Sequence, residues 1–140
     1  MTKRCLFCSI VAGETAAHVV HEDERWFAFL DIRPLFHGHT LLVPKDHHET
    51  LWDLPDELAA ELGPATRALS VAVKDAMAAA GVFNAMNNVV SQSIPHLHVH
   101  VVPRNRKDGL KGFFWPRTTY ADDAEAATVA ATISSRLRAT

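Results

Sequence analysis

The sequence predicts a small α+β domain, with an antiparallel sheet of about five strands, one long helix and a C-terminal helix. Short apolar segments follow one another closely at residues 19–22, 26–30 and 40–44, which favours an antiparallel meander over parallel units. Apolar residues then recur at helical spacing between residues 58 and 77, and a strictly alternating segment follows at residues 96–103. Strands grouped with helices to one side are typical of the α+β class.

Turn residues delimit the predicted strands. A polar turn at residues 23–25 separates the first two strands, Gly38 precedes the third, and Pro44 ends it. An irregular strand is predicted at residues 82–90, before the alternating strand at residues 96–103. These two segments complete the expected five strands.

The helices are delimited by capping and breaking residues. Asp56 is predicted to cap the long helix, and Gly81 to mark its end. A Gly63-Pro64 pair lies inside the helix and predicts either a kink or a division into two. Residues 121–138 are predicted to form the terminal helix, with acidic residues at its start and arginines near its end, as the helix dipole favours.

Length and composition favour one domain over residues 1–140, with enough apolar residues, 48% of the chain, for a core. A net charge of -2 gives no general attraction to nucleic acid or to anionic membranes, so neither partner is expected. Residues 1–9 are too short and polar for a signal sequence, and no apolar run approaches the roughly 20 residues of a membrane span. A cytoplasmic location is therefore expected.

The alternating strand carries three histidines, His96, His98 and His100. Side chains on a strand alternate between faces, so the three imidazoles project to one side and the apolar residues between them to the core. Buried imidazoles lose hydration energy unless each has a partner. Three in a row therefore indicate a function rather than three separate bonds to backbone carbonyls.

Two functions compete for the three histidines. A metal ion is one, but positions i and i+4 of a strand lie roughly 13 Å apart. Zinc–nitrogen bonds are about 2 Å long, so His96 and His100 cannot share one ion and at least one of the three has another task. Nucleophilic catalysis at phosphorus is the other, with a neutral imidazole attacking and a neighbour contacting the phosphate.

The pattern His-φ-His-φ-His-φ-φ, where φ is apolar, occupies residues 96–102 and resembles the signature of the histidine triad (HIT) family, in particular its bacterial Hint-like and Fhit-like members. Residues 31–34 and 38–45 resemble the family's nucleoside-pocket strand and the strand after it. The polar segment 91–93 resembles the loop that precedes the triad. This similarity covers roughly residues 5–104 and implies a HIT-like fold.

The resemblance implies that His98 carries a nucleoside monophosphate and that His100 contacts the phosphate and the leaving group. It places Gln92 and Ser93 near that phosphate, together with an asparagine; Asn87 and Asn88 both precede the loop, and Asn88 is the favoured candidate. Water or another acceptor then releases the nucleotide.

A nucleoside pocket is also implied by the resemblance. Asp31 is expected to accept hydrogen bonds from both ribose hydroxyls, although a short acidic residue after a strand also suits a turn or a cap. Ile32 is expected to line the same pocket. The substrate is expected to be an AMP-containing purine nucleotide: a phosphoramidate, an acyl-nucleotide or a dinucleoside polyphosphate.

Cys5 and Cys8 have the Cys-x₂-Cys spacing of half a zinc site, and nearby histidines can supply the remaining ligands. The resemblance implies the ligands Cys5, Cys8, His47 and His96, with the adjacent His48 as an alternative to His47. Such a zinc ion is expected to hold the N-terminus in place, and no organic cofactor is expected. A redox dithiol and two reduced cysteines are the competing interpretations.

Two features after the triad have no assigned chemistry. A basic cluster forms either a solvated loop or a site for distant phosphates; it comprises Arg104, Arg106, Lys107, Lys111 and Arg117. The aromatic segment 112–116 suits a leaving-group pocket or a subunit contact. A homodimer is expected from the resemblance alone.

Three functional hypotheses follow. The first is a hydrolase or transferase that forms a nucleotidyl-His98 intermediate and cleaves a phosphorus–nitrogen or phosphoanhydride bond at the α-phosphorus. The second is a nucleotide-binding regulator with little physiological turnover. The third is a zinc hydrolase in which the triad holds a catalytic metal.

Overall fold

The computed structural model describes residues 5–110 and 117–138, and the chain divides into two compact units, Met1–Asp108 and Gly109–Thr140. The first unit contains a single five-stranded antiparallel sheet. Its strands are β1 (Val19–Glu22), β2 (Trp26–Leu30), β3 (Thr40–Pro44), β4 (Gly81–Ala85) and β5 (Val99–Arg104). Their order across the sheet is β1-β2-β3-β5-β4, so the predicted α+β class and the meander of the first three strands are confirmed.

The long predicted helix is continuous. Helix α2 spans Asp56–Ala76 and contains Pro64, so the predicted alternative of two helices is wrong. Pro55, not Asp56, occupies the N-cap position, and Asp56 lies in the first turn, where its charge suits the helix dipole. The helix buries Leu58, Leu69 and Val73, which lie on one stripe at helical spacing.

Each face of the sheet has its own apolar cluster. One face, called here the α2 face, packs against α2; its fully buried members are Trp26, Ala28, Leu42, Leu54, Leu58, Leu69, Val73, Leu97, Val99 and Val101. The opposite face, called the α1 face, packs against a short helix, α1 (Leu6–Val11); its members are Phe7, Ile10, Phe27, Phe29, Leu41 and Val43. Residues of β2 and β3 alternate between the two clusters, as the pleat requires.

Helix α1 was not expected from the sequence, because six residues are too few to show a helical period. Its N-cap is Cys5, whose Sγ accepts a hydrogen bond from the backbone N–H of Cys8 at 3.5 Å. The helix presents Phe7 and Ile10 to the sheet. The Cys-x₂-Cys segment is therefore the start of a helix that covers the α1 face.

Two strands are shorter than predicted. β4 ends at Ala85 rather than residue 90, because Val89 and Ser91 adopt left-handed backbone (φ 74° and 63°) that a strand does not allow. β5 begins at Val99 rather than residue 96, since the N–H of Leu97 bonds the carbonyl of His48 at 2.7 Å, outside the ladder. The first two histidines of the triad thus precede the strand.

Gly38 fixes the entry into β3. Its φ of +98° is in the region that favours glycine, and a Cβ there would lie 2.6 Å from the Cγ of Met77, at the end of α2. The tight approach sets the position of the next residue, His39, which is 3% exposed.

The second unit contains helix α3 (Asp123–Arg138), which agrees with the helix predicted at residues 121–138. At its start Asp122 Oδ1 accepts from the N–H of Glu125 at 2.8 Å, and Glu125 Oε1 accepts from the N–H of Ala121 at 3.1 Å. The first bond satisfies a helix N–H that has no partner within the helix, and the second holds the residue that precedes the cap. The predicted aromatic segment 112–116 and Lys111 lie outside the described residues.

Of the helices in the described residues, none combines the length and the apolar character that crossing a membrane requires. The expectation of one domain over residues 1–140 stays a prediction.

Candidate active site and metal centre

His96 is fully buried and has a partner on each side of its ring. Its Nε2 lies 2.8 Å from the carbonyl oxygen of Pro44, at the end of β3, and therefore carries the proton and donates. Its Nδ1 then carries the lone pair, 3.4 Å from the Sγ of Cys5 and 3.5 Å from the Sγ of Cys8. Burial lowers the pKa of His96 to about 4.

His98 is positioned by its neighbour's backbone. Its Nδ1 lies 2.7 Å from the carbonyl oxygen of His96, so Nδ1 carries the proton and Nε2 keeps a free lone pair. The rings of His98 and Phe7 make a T-shaped contact, with centroids 5.1 Å apart and an interplanar angle of 87°. Burial lowers the pKa of His98, against the opposing effects of its hydrogen bond and of Asp31. The ring is therefore neutral and held in a fixed orientation.

His100 lies on β5 opposite Leu41 and is half-buried. Its ring centroid is 5.0 Å from that of His98, and its Nδ1 is 3.0 Å from the Nε2 of His39. Burial lowers the pKa of His100 to about 4; a proton on His98 or His39 would act in the same direction, and Asp31 opposes the shift. His100 is thus neutral near pH 7.

The structure adds His39 and Phe7 to the site. In the sequence His39 belongs only to a strand motif, and no pattern there gives Phe7 a role. A signal for His39 was available: it precedes Leu41 by two residues, so both side chains project to the α1 face, where the triad lies. Phe7 gave none, because the helix that carries it was not foreseen.

The buried histidines make the fold sensitive to acid. The pKa of His100 is about 4, below its ordinary value of 6.5, so the unfolded chain binds a proton there that the native state does not. Stability therefore rises with pH through this window and is lost as pH falls from about 6.5 to about 4. We expect a lower urea midpoint at about pH 5 than at about pH 7.5, measured by circular dichroism.

A matched pair of variants isolates the contribution of His100. His100→Gln removes the titrating ring and is expected to reduce the difference between the two midpoints, whereas exposed His18→Gln should retain the wild-type difference. The groups that face His100 are His98, His39 and Asp31, and all three stay in place in both variants. An equal acid effect in His100→Gln and the wild type contradicts this assignment.

A metal-binding group forms where α1 meets the triad. One ligand atom from each of Cys5, Cys8, His47 and His96 lies within 4.8 Å of the others. Tetrahedral zinc with its usual bond lengths holds sulfur and nitrogen about 3.5 Å apart. The Sγ of Cys8 lies 3.4 Å from the Nδ1 of His47 and 3.5 Å from that of His96, so the residues fit a zinc ion.

Second contacts support the same donor set. His96 donates through Nε2 to Pro44, which fixes the ring and leaves Nδ1 free for a metal. The structure brings His47 into the group, whereas the adjacent His48 contributes its backbone carbonyl to Leu97. Neither His98 nor His100 belongs to this four-residue group.

The predicted ribose contact has a turn role as well. Asp31 Oδ1 accepts from the N–H of Arg33 at 2.8 Å, which is the turn alternative named above. Its other carboxylate oxygen, Oδ2, lies 3.7 Å from the Nε2 of His39 and therefore faces the triad. Ile32 is 87% exposed, so its side chain is accessible beside Asp31.

The loop before the triad uses its amides for its own structure. Asn88 Oδ1 accepts from the N–H of Leu51 at 2.7 Å, and Gln92 Nε2 donates to the carbonyl of Glu49 at 2.5 Å. Gln92 Oε1 accepts from the N–H of Val89, whose φ is positive. These bonds hold a strained loop, and strain of this kind occurs often at functional sites. Ser93 is exposed.

Part of the basic cluster is paired. Arg104 Nε donates to Asp108 Oδ2 at 2.6 Å, and a second guanidinium nitrogen donates to Oδ1 at 3.1 Å. Arg106, Lys107 and Arg117 are exposed. This arrangement favours the solvated-loop interpretation over a phosphate site at Arg104.

Fold and site together define a histidine triad protein: three histidines on one segment, the third of them on β5, next to the central strand β3 of a five-stranded antiparallel sheet. The sequence matches the HIT domain over residues 12–107. The chain belongs to the HIT family. This confirms the resemblance drawn from residues 96–102.

Three curated relatives illustrate the match. The chain is 39% identical to the protein named hit of Bacillus subtilis over 124 residues, 86% of this chain and 83% of that protein. It is 34% identical over 110 residues to a Saccharomyces cerevisiae protein named adenosine 5'-monophosphoramidase, covering 76% of this chain and 66% of the relative. It is also 34% identical over 108 residues to an Arabidopsis thaliana protein named adenylylsulfatase, covering 76% of this chain and 55% of the relative.

Solved structures agree with the fold. A HIT family protein from Bacillus subtilis superposes with a TM-score of 0.84 at 36% identity, covering 96% of this chain and 97% of the other. A zinc-bound histidine triad family protein from Mycobacterium smegmatis gives a TM-score of 0.71 at 34% identity, with coverage of 94% and 96%. A relative with this fold therefore binds zinc.

Proposed function

We propose that this protein is a nucleotide hydrolase or transferase that cleaves at the α-phosphorus of an adenylated substrate through a nucleotidyl-His98 intermediate. The observation that carries the proposal is the orientation of His98. Its Nδ1–H is held by the carbonyl of His96 at 2.7 Å, and no residue that the structure describes donates to its Nε2 lone pair. A buried, neutral and oriented imidazole is an effective nucleophile toward phosphorus.

The reaction has two balanced steps. The Nε2 lone pair of His98 forms a bond to the α-phosphorus, the bond to the leaving group breaks, and its electron pair goes to the leaving atom, which takes a proton from solvent. A water oxygen then attacks the same phosphorus, the N–P electron pair returns to Nε2, and the water releases a proton to solvent. His100 contacts the phosphate in both steps, where charge develops on the oxygens.

The substrate class is proposed from the relatives and the pocket. Relatives named adenosine 5'-monophosphoramidase and adenylylsulfatase support an AMP-containing purine nucleotide. Asp31 Oδ2 is available for the ribose hydroxyls, and Ile32 for the nucleoside. Asn88 and Gln92 are proposed to act by holding the loop that carries Ser93 to the phosphate. The expected homodimer, the cytoplasmic location and the lack of nucleic-acid partners stay predictions.

A zinc ion is proposed at the four-residue group, held by Cys5, Cys8, His47 and His96. Four protein ligands leave no open position for substrate, so the ion would supply structural stability rather than Lewis-acid chemistry. It would fix the start of α1, and with it Phe7, against the triad.

A substrate panel with two readouts tests the proposed function. Purified protein is incubated with adenosine 5'-phosphoramidate, adenylyl sulfate or diadenosine polyphosphate, and AMP release is measured alongside the intact-protein mass. We expect AMP release from at least one substrate, and an added nucleotidyl mass in the slow variant His100→Ala. Tight AMP binding with no turnover on the whole panel would instead favour the regulator.

A further inference from the structure

A chain of hydrogen bonds leads from a backbone amide to the triad. The N–H of Leu35 donates to the Nδ1 of His39 at 3.1 Å. A backbone N–H can only donate, so the Nδ1 of His39 must hold a lone pair. Neutral His39 therefore carries its proton on Nε2, and a doubly protonated ring is incompatible with this bond.

The hydrogen bond between His39 and His100 fixes the position of the proton on His100 in turn. The Nε2 of His39 lies 3.0 Å from the Nδ1 of His100 and can only donate to it. The Nδ1 of His100 is then the acceptor, and its proton lies on Nε2. Asp31 Oδ2 is 3.7 Å from the same Nε2 of His39 and attracts its proton without forming a short bond.

We propose that His39, oriented by the amide of Leu35, locks His100 in the form with Nε2–H, so that His100 acts as a neutral hydrogen-bond donor and not as an imidazolium acid. This deepens the proposed function and rests on it for the phosphate that receives the bond. Protonation of His100 at Nδ1 would set two N–H groups against each other at 3.0 Å. His39 is thus a positioning residue for His100.

The same side chains could instead bind a metal ion, but the positions of the imidazole protons disfavour this. One ligand atom each from Asp31, His39 and His100 lie within 4.8 Å of one another. A metal would need a lone pair on the Nε2 of His39, but the bond from Leu35 keeps the proton there. The geometry therefore favours a relay of hydrogen bonds over an ion.

Nitrogen NMR of histidine-labelled protein tests the lock directly, because protonated and unprotonated ring nitrogens differ in chemical shift. We expect His100 to show a protonated Nε2 and an unprotonated Nδ1 from about pH 5 to pH 8. His100→Gln identifies its signals by their loss. A protonated Nδ1 of His100 anywhere in this range overturns the inference, whether or not the protein turns over substrate.

Two kinds of variant test how the lock is set. Leu35→Pro removes the backbone N–H that orients His39 but leaves both imidazoles in the chain. It should release the lock, so that a protonated Nδ1 of His100 becomes detectable. The control Leu35→Ala keeps the N–H and should keep the wild-type signals. If Leu35→Pro does not fold, His39→Glu places an acceptor beside His100 and should move its proton to Nδ1. A His100 proton that stays on Nε2 in folded His39→Glu contradicts the role of His39.

Activity separates this inference from the proposed function. With adenosine 5'-phosphoramidate, His39→Glu is expected to lower kcat/KM at least tenfold, because the donor to the phosphate is lost. A wild type that shows the Nε2–H form but releases no AMP from any substrate refutes the proposed function and leaves the lock intact. The pH profile of wild-type kcat/KM is the last test. If kcat/KM falls across a titration that belongs to His100, with a midpoint between about pH 5 and pH 8, the lock is refuted.

Discussion

Replacing His98 with asparagine is expected to lower AMP release by roughly 10⁴-fold or more and to abolish the nucleotidyl adduct. The asparagine amide can keep the hydrogen bond to the carbonyl of His96, which the ring makes at 2.7 Å. What the variant loses is the lone pair of Nε2. AMP release from adenosine 5'-phosphoramidate and the intact-protein mass measure both effects.

The control for this loss is a histidine far from the chemistry. His18 is exposed, and its carbonyl accepts from the N–H of Leu30 at 2.9 Å, a bond that any residue can supply, so His18→Asn should turn over at the wild-type rate. Calorimetric titration with AMP should show that His98→Asn still binds the nucleotide. Turnover within tenfold of wild type in a folded His98→Asn would exclude a covalent role for the ring.

Periodicity explains why much of the fold could be predicted from the sequence. The strands β2 and β3 are short apolar runs that the structure buries, and α2 carries apolar residues at helical spacing, of which Leu58, Leu69 and Val73 are buried. The alternation around His98 likewise predicted which side chains share a face. The chemistry of these three histidines stays a prediction.

Contacts between distant residues explain what the sequence could not provide. The bond between His39 and His100 joins positions 61 residues apart, and it depends on the register of β3 with β5. Asn88 and Gln92 are short polar residues that suit a ligand or a loop equally well, and only the fold shows them bonded to the 49–51 segment. Helix α1 is stabilised by its packing on the sheet, not by its own pattern.

Removing the proposed zinc ion is expected to destabilise the first unit. An ion held a thousandfold above its Kd adds about 4 kcal/mol to the free energy of unfolding. For a chain of 140 residues this corresponds to a fall in Tm of roughly 10 °C or more on chelation. The four ligands connect α1 to the loop after β3 and to the triad, so the release of α1 should expose Phe7. Differential scanning calorimetry with and without chelator measures the change.

Adjacent histidines provide a matched test of the ligand set. His47 contributes Nδ1 to the group, whereas His48 contributes a backbone carbonyl that any residue supplies. His47→Gln should therefore reduce the bound zinc and lower the Tm toward that of the chelated protein, while His48→Gln should retain both. Metal content is measured by elemental mass spectrometry on protein purified in parallel. Zinc lost from His48→Gln and kept by His47→Gln would reassign the ligand, and an unchanged Tm after complete removal of bound zinc would remove its structural role.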